Sequence, residues 1–138
     1  MKNKIFQIAI DSPAASGAGT QAKLIAEYYN LFYLDTGKLY RILGFSYLKN
    51  NKKINYKKFK KIILKTKYSD LKKKNLLKNE IGLAAAYLAK IKNIRSFVTQ
   101  YQKKVAKNPP KKFIGVCFDG RDIAYNIIPK ANVKFFMT

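Results

Sequence analysis

Apolar positions along this chain follow two periods. Lys4 to Ile10 (KIFQIAI) is an apolar, β-branched run and predicts a buried strand. A helical pattern follows the next loop, with Ala22, Ile25, Ala26 and Tyr29 on one face. Leu31-Phe32-Tyr33-Leu34 predicts a short strand ending at Asp35-Thr36-Gly37. From Lys38 a helix carries Leu39, Ile42, Leu43 and Tyr47 and ends near Lys49-Asn50-Asn51. A lysine-rich amphipathic segment comes next. Ile54, Phe59, Ile62 and Ile63 take one side; Lys58, Lys61 and Lys65 form a solvated face on the other. Asp70 to Asn79 is polar and is assigned to no element. Glu80 to Ile91 predicts a helix with a small-residue face, and Ile94 to Ala106 a second, stopped by Asn108-Pro109-Pro110. Phe113 to Phe118 is a strand closed by Asp119-Gly120-Arg121-Asp122, and Asn132 to Met137 is the last strand.

Strands that alternate with helices predict a parallel α/β sheet flanked by helices. In such sheets ligands sit beyond the carboxyl ends of the strands. Asp11 to Thr20, Asp35 to Gly37 and Asp119 to Asp122 each follow a strand, so their acids, glycines and arginines are expected at one crevice. The final apolar strand has no helix after it to cover it, which raises the expectation that the chain is cut short.

The loop after the first strand, Asp11-Ser12-Pro13-Ala14-Ala15-Ser16-Gly17-Ala18-Gly19-Thr20, has the strand–loop–helix context of a phosphate-binding loop. Small residues let backbone N–H groups approach an oxyanion, and the helix N-terminus adds a favourable dipole. The usual pattern is G-x-x-x-x-G-K. Here Ser12 takes the place of the first glycine and Ala18 that of the lysine. The loop therefore points to nucleotide binding and weakens the case for fast chemistry.

Composition narrows the choice. A chain of 138 residues gives one domain with a modest core, and 48% hydrophobic residues fit a globular protein. No apolar run reaches the ~18 residues of a membrane span. The chain has no histidine, which excludes a Ser-His-Asp triad and the common zinc sites. Its one cysteine, Cys117, lies in an apolar run and is expected to be a buried thiol in a reducing cytosol. A net charge of +22 invites a nucleic-acid reading. The basic residues are nearly all lysine, however, and they spread over many segments without forming one stripe. Only Arg41, Arg95 and Arg121 are arginine. A guanidinium grips phosphate or a base edge with two hydrogen bonds, so these three are candidates for binding. Asp11, Asp35, Asp119 and Asp122 stand beside the glycines and arginines.

IAIDSPAASGAGTQAKLIAE, YLDTGKLYR (Tyr33 to Arg41), LAAAYLAKIKNIR (Leu83 to Arg95) and DGRDI (Asp119 to Ile123) followed by IIPKANVKFFMT resemble, in that order, the bacterial cytidylate kinases. These are nucleoside monophosphate kinases of the P-loop class. The resemblance covers essentially the whole chain. It implies transfer of the ATP γ-phosphoryl group to CMP or dCMP, with Mg²⁺, by a cytoplasmic monomer. By position, Ser12 to Thr20 would hold ATP phosphates. Arg41 and Arg121 would clamp the CMP phosphate with Thr36 nearby, and Arg95 and Asp122 would read cytosine. Asp119 would sit near the metal through water; Asp11 would do the same or cap the loop. Residues 1–138 would be a single incomplete kinase domain, with a helical nucleotide-binding insertion at about 38–108 and with the lid and C-terminal part absent.

Four departures from the family pattern stand out. Ser12 would strain the loop if φ there is positive. Ala18 removes a cation. Ala86 stands where a serine contacts cytosine, which would loosen base selectivity. Family chains also continue past Thr138. Two other readings compete with the kinase reading: a nucleotide-binding homologue that has lost catalysis, and a basic nucleic-acid-binding module.

Overall fold

The structure, a computed structural model, describes residues 4–12, 18–67, 70 and 74–137. The chain forms two compact units. One runs up to Thr36 and resumes at Gln102; the other is Gly37–Tyr101.

The first unit is built on a parallel sheet. Its strands are β1 (Phe6–Asp11), β2 (Leu31–Asp35), β3 (Gly115–Gly120) and β4 (Val133–Phe136), in the order β2-β3-β1-β4. Helix α1 (Ala18–Tyr29) joins β1 to β2. The two central strands have neighbours on both sides, which is why their apolar runs are continuous. Ile8, Ala9 and Ile10 of β1 and Val116, Cys117 and Phe118 of β3 are all buried. One sheet face presents Ile8, Ile10, Leu31 and Cys117 to Ala22 and Ala26 of α1, with Phe6, Ile25, Tyr33, Val133 and Met137 at the margin. Burying each large side chain there is worth about 1.5–3 kcal/mol. The Cys117 thiol is pushed up to about 12 by burial and by the nearby Asp119 charge, which makes it a core residue.

The second unit is helical. Helix α2 (Thr36–Lys49) leaves the sheet at its first residue, and α5 (Lys92–Lys107) returns to it. Between them lie α3 (Tyr56–Leu64), a 3₁₀ turn (Lys74–Leu77) and α4 (Asn79–Ala89). Asn55 caps α3 by accepting from the Lys58 N–H at 3.0 Å. Phe59 and Ile63 are fully buried, while Lys58, Lys61 and Lys65 lie on the solvated face. Gly44 of α2 lets α4 approach: a Cβ there would lie 3.0 Å from the backbone of Ile81 and Ala85.

Four expectations need correction. Tyr29 is 52% exposed instead of lying on the core face, because it closes α1 and packs edge-on against Tyr28. Thr36 and Gly37 belong to α2, which starts without a loop after β2. The 3₁₀ turn occupies part of the segment 70–79 that was assigned no element. Finally, β3 lies two residues later than expected. Phe113 and Ile114 turn the chain, with Phe113 N–H bonded to Pro110 O and Ile114 N–H to Asn30 O. Asp119 and Gly120 still pair with β1, so they are strand residues.

Candidate active site

Strand register builds the site. In β3, Asp119 lies opposite Ile10 of β1 and Asp35 of β2, and Gly120 lies opposite Asp11. Directly paired residues on neighbouring strands point to the same face, so Asp35 and Asp119 share one side of the sheet. Burial raises the Asp119 carboxyl from 3.8 to about 6, and the Asp35 charge adds to the rise. The Tyr33 hydroxyl bonded to it and the Lys23 ammonium pull the other way. The same burial and the same two carboxylates hold the Tyr33 phenol protonated. Lys23 Nζ stands 5.9 Å from the centre of the Tyr33 ring.

The first turn of α1 passes over this group. A Cβ at Gly19 would lie 3.5 Å from Tyr33 Oη and 3.6 Å from Asp119 Oδ2. Thus the segment that continues the phosphate loop sits against the acidic end of β3. Of the expected loop, Pro13, Ala14, Ala15, Ser16 and Gly17 lie outside the described residues. Ser12 N–H donates to Gly120 O at 3.1 Å and so extends the strand pairing. Among the described residues, positive φ falls at Asn30, Asn51, Lys52, Asp122 and Gly120, not at Ser12. Ser12 is therefore not strained by a positive φ.

The turn after β3 is sharp. Gly120 has φ of +149°, a region that favours glycine, and Asp122 has φ of +57°. Arg121 and Asp122 are exposed. A π-helical turn (Ile123–Ile127) follows, and the Asp11 carboxylate caps it, accepting from Ile123 N–H at 2.7 Å and Ala124 N–H at 3.2 Å. Asp11 therefore caps this turn. Thr36 Oγ1 donates to Asp119 O at 3.3 Å and accepts from Gln102 Nε2 at 2.6 Å.

The helical unit holds the other two arginines. Arg41 Nη1 donates to Leu76 O at 2.7 Å and reaches Lys78 O at 3.5 Å. Gly82 leaves room for this guanidinium, since a Cβ there would lie 2.9 Å from Arg41 Nη2. Arg95 is exposed. Its charge partly offsets the burial that raises the Tyr40 hydroxyl. Ala86 is exposed on α4.

The sheet end has the donor chemistry a magnesium ion needs. Asp119 is 9% exposed, and its Oδ1 is buried with no hydrogen-bond partner among the described residues. A cation would satisfy that oxygen and relieve the repulsion from Asp35. No group of three or more metal-ligating side chains occurs among the described residues.

Sequence reasoning missed Tyr33 and Gln102. Gln102 had a signal: Ile94, Val98, Tyr101 and Val105 mark the apolar face of α5, and Gln102 is a polar residue set on it. It is 2% exposed.

The family model for cytidylate kinase matches residues 8–138. A cytidylate kinase of Bartonella tribocorum is 39% identical over 137 residues, covering 97% of this chain and 61% of that protein. One from Thermosipho melanesiensis is 37% identical over 140 residues, covering 95% of this chain and 62% of that protein. A bifunctional pantoate ligase/cytidylate kinase of Prochlorococcus marinus is 36% identical, with 95% of this chain and 28% of that protein covered. The chain thus spans about three-fifths of the length of the first two relatives. Motif order, the parallel sheet and the match over residues 8–138 agree: the chain belongs to the cytidylate kinase family.

Proposed function

We propose that this chain supplies the phosphate loop and acceptor-binding residues of an ATP-dependent kinase for CMP or dCMP. The observation that carries the reading is the sheet end, where Gly19 at the start of α1 lies against the buried, half-unpartnered Asp119 carboxylate. That proximity supports a reading in which the carboxylate serves a cation beside a phosphate-binding helix terminus. In the transfer, a phosphate oxygen of CMP forms a bond to the γ-phosphorus of ATP. The bond from that phosphorus to the β–γ bridging oxygen breaks, and ADP leaves. Such a reaction depends on positioning and on stabilising charge. The loop from Ser12 to Thr20 holds the ATP phosphates through backbone N–H groups other than that of Ser12, which is bonded to Gly120 O; Pro13 has none. Arg41 and Arg121 hold the CMP phosphate, with Thr36 alongside. Asp122 accepts from the cytosine amino group, and Arg95 donates to O2 and N3, a polarity that uracil does not match. Asp119 would hold Mg²⁺ near the phosphates, where the ion would supply charge neutralisation. A cytosolic monomer is part of the same reading, and the single buried thiol fits a reducing compartment.

A second reading is favoured by Ala18. Without the loop lysine the chain could bind nucleotides and catalyse nothing. Loss of one preorganised charge-stabilising group costs about 2.7–4 kcal/mol, or 10²–10³ in rate. Coupled assay of ADP release with CMP, before and after Ala18→Lys, separates the two. The kinase reading predicts a gain of about 10²–10³ in kcat. No turnover in either protein would leave the binding-only reading standing.

A further inference from the structure

The chain leaves the sheet unit once, after Thr36, and re-enters it once, at Gln102. Neither passage is a loop: Thr36 is the first residue of α2, and Gln102 lies within α5. The two passages are bonded to each other. Gln102 Nε2 donates to Thr36 Oγ1 at 2.6 Å, and Thr36 Oγ1 donates onward to Asp119 O at 3.3 Å. The hydroxyl has one proton, and this chain uses it, together with a lone pair for Gln102. Gly120 lies beside the same oxygen: a Cβ there would be in ordinary contact with it, 3.4 Å from Thr36 Oγ1. Gln102 and Asp119 are the only buried polar or charged residues among those described; Gln102 enters this network by its side chain and Asp119 by its backbone carbonyl. A glutamine set among Ile94, Val98 and Tyr101 on the apolar face of α5 has no packing advantage over a leucine or methionine. Its amide therefore needs another reason.

We infer that Gln102 is a positioning residue that clasps the two chain passages to the carboxyl end of β3. It fixes the rotamer of Thr36 and so the first turn of α2. Arg41 follows five residues along α2, about 7 Å of helix rise. Arg121 follows Asp119 by two residues. For its effect on ligands the inference rests on the acceptor-site reading above; for its effect on α2 it does not.

The test uses Gln102→Met, which keeps length and volume and removes the donor. Backbone amide exchange of Gly37–Arg41 should rise about tenfold, the mark of a freed first turn, while exchange in β1 stays unchanged. CMP affinity should fall about tenfold with ATP affinity unmoved. Thr36→Val, which removes the acceptor, should produce the same change in exchange, and combining both substitutions should add nothing to it. Unchanged exchange at Gly37–Arg41 in both variants would overturn the inference. So would an equal weakening of CMP and ATP, which would mean general loss of packing. If the unaltered chain binds no CMP, the kinase reading fails, and the exchange result still decides the clasp.

Discussion

Asp119 is pulled in two directions. Burial and Asp35 favour its neutral form, while Tyr33 and Lys23 favour the carboxylate. Its proton affinity is higher in the fold than in the unfolded chain, so the folded state gains a proton at higher pH. Stability from this group is therefore greatest below about pH 4 and falls as pH rises through about 6. The shift from 3.8 to about 6 corresponds to at most about 3 kcal/mol. In magnesium-free buffer, Asp119→Asn should be the more stable protein at pH 7, and the gap should close towards pH 4. Urea melts across that range check this; parallel curves would contradict it. A buried acid kept at such a cost supports the proposed cation site. At this scale the sequence was partly legible. Asp119, Thr36 and the arginines stood out by type and place. Tyr33 did not, because a tyrosine in an apolar strand reads as core until a carboxylate is found beside its hydroxyl.

Elements were legible wherever one face is apolar. Helix α3 follows its pattern, with Phe59 and Ile63 inside and its lysines outside. Its Asn55 cap should matter, because tertiary packing covers little of this charged helix. Asn55→Ala should cost about 1 kcal/mol in denaturant melts with an unchanged m-value. The start of β3 was misjudged because apolar character alone marked it, and Phe113 and Ile114 are apolar turn residues. Gly115 is the better marker. A Cβ there would run into the Phe6 carbonyl of β1, so the pairing of the central strands needs a glycine. Gly115→Ala should destabilise by at least about 3 kcal/mol, since neither backbone can give way. A loss under 1 kcal/mol in thermal melts would show that the strands can part there. The π-helical turn after Asp122 was overlooked, although Ile123, Ala124, Ile127 and Ile128 already had helical spacing.

Over the whole molecule, the charge of +22 sets a background that any anion feels. Nucleotide binding alone therefore cannot distinguish a formed acceptor site from a basic surface. Base preference can, because the proposed acceptor reading predicts that cytosine is favoured over adenine. The division into a sheet unit and a helical unit was read from the sequence only as a helical insertion, at about 38–108. The structure places its limits at Gly37 and Tyr101, within helices, where no break in composition marks them. No helix among the described residues is long and apolar enough to cross a membrane.

The most direct measurement is calorimetric titration of the chain with CMP and with AMP, at low and at moderate salt. A site that reads cytosine predicts CMP binding clearly tighter than AMP binding, with the difference kept as salt rises. Equal affinities that fade together with salt would show the basic surface alone at work and would contradict the account.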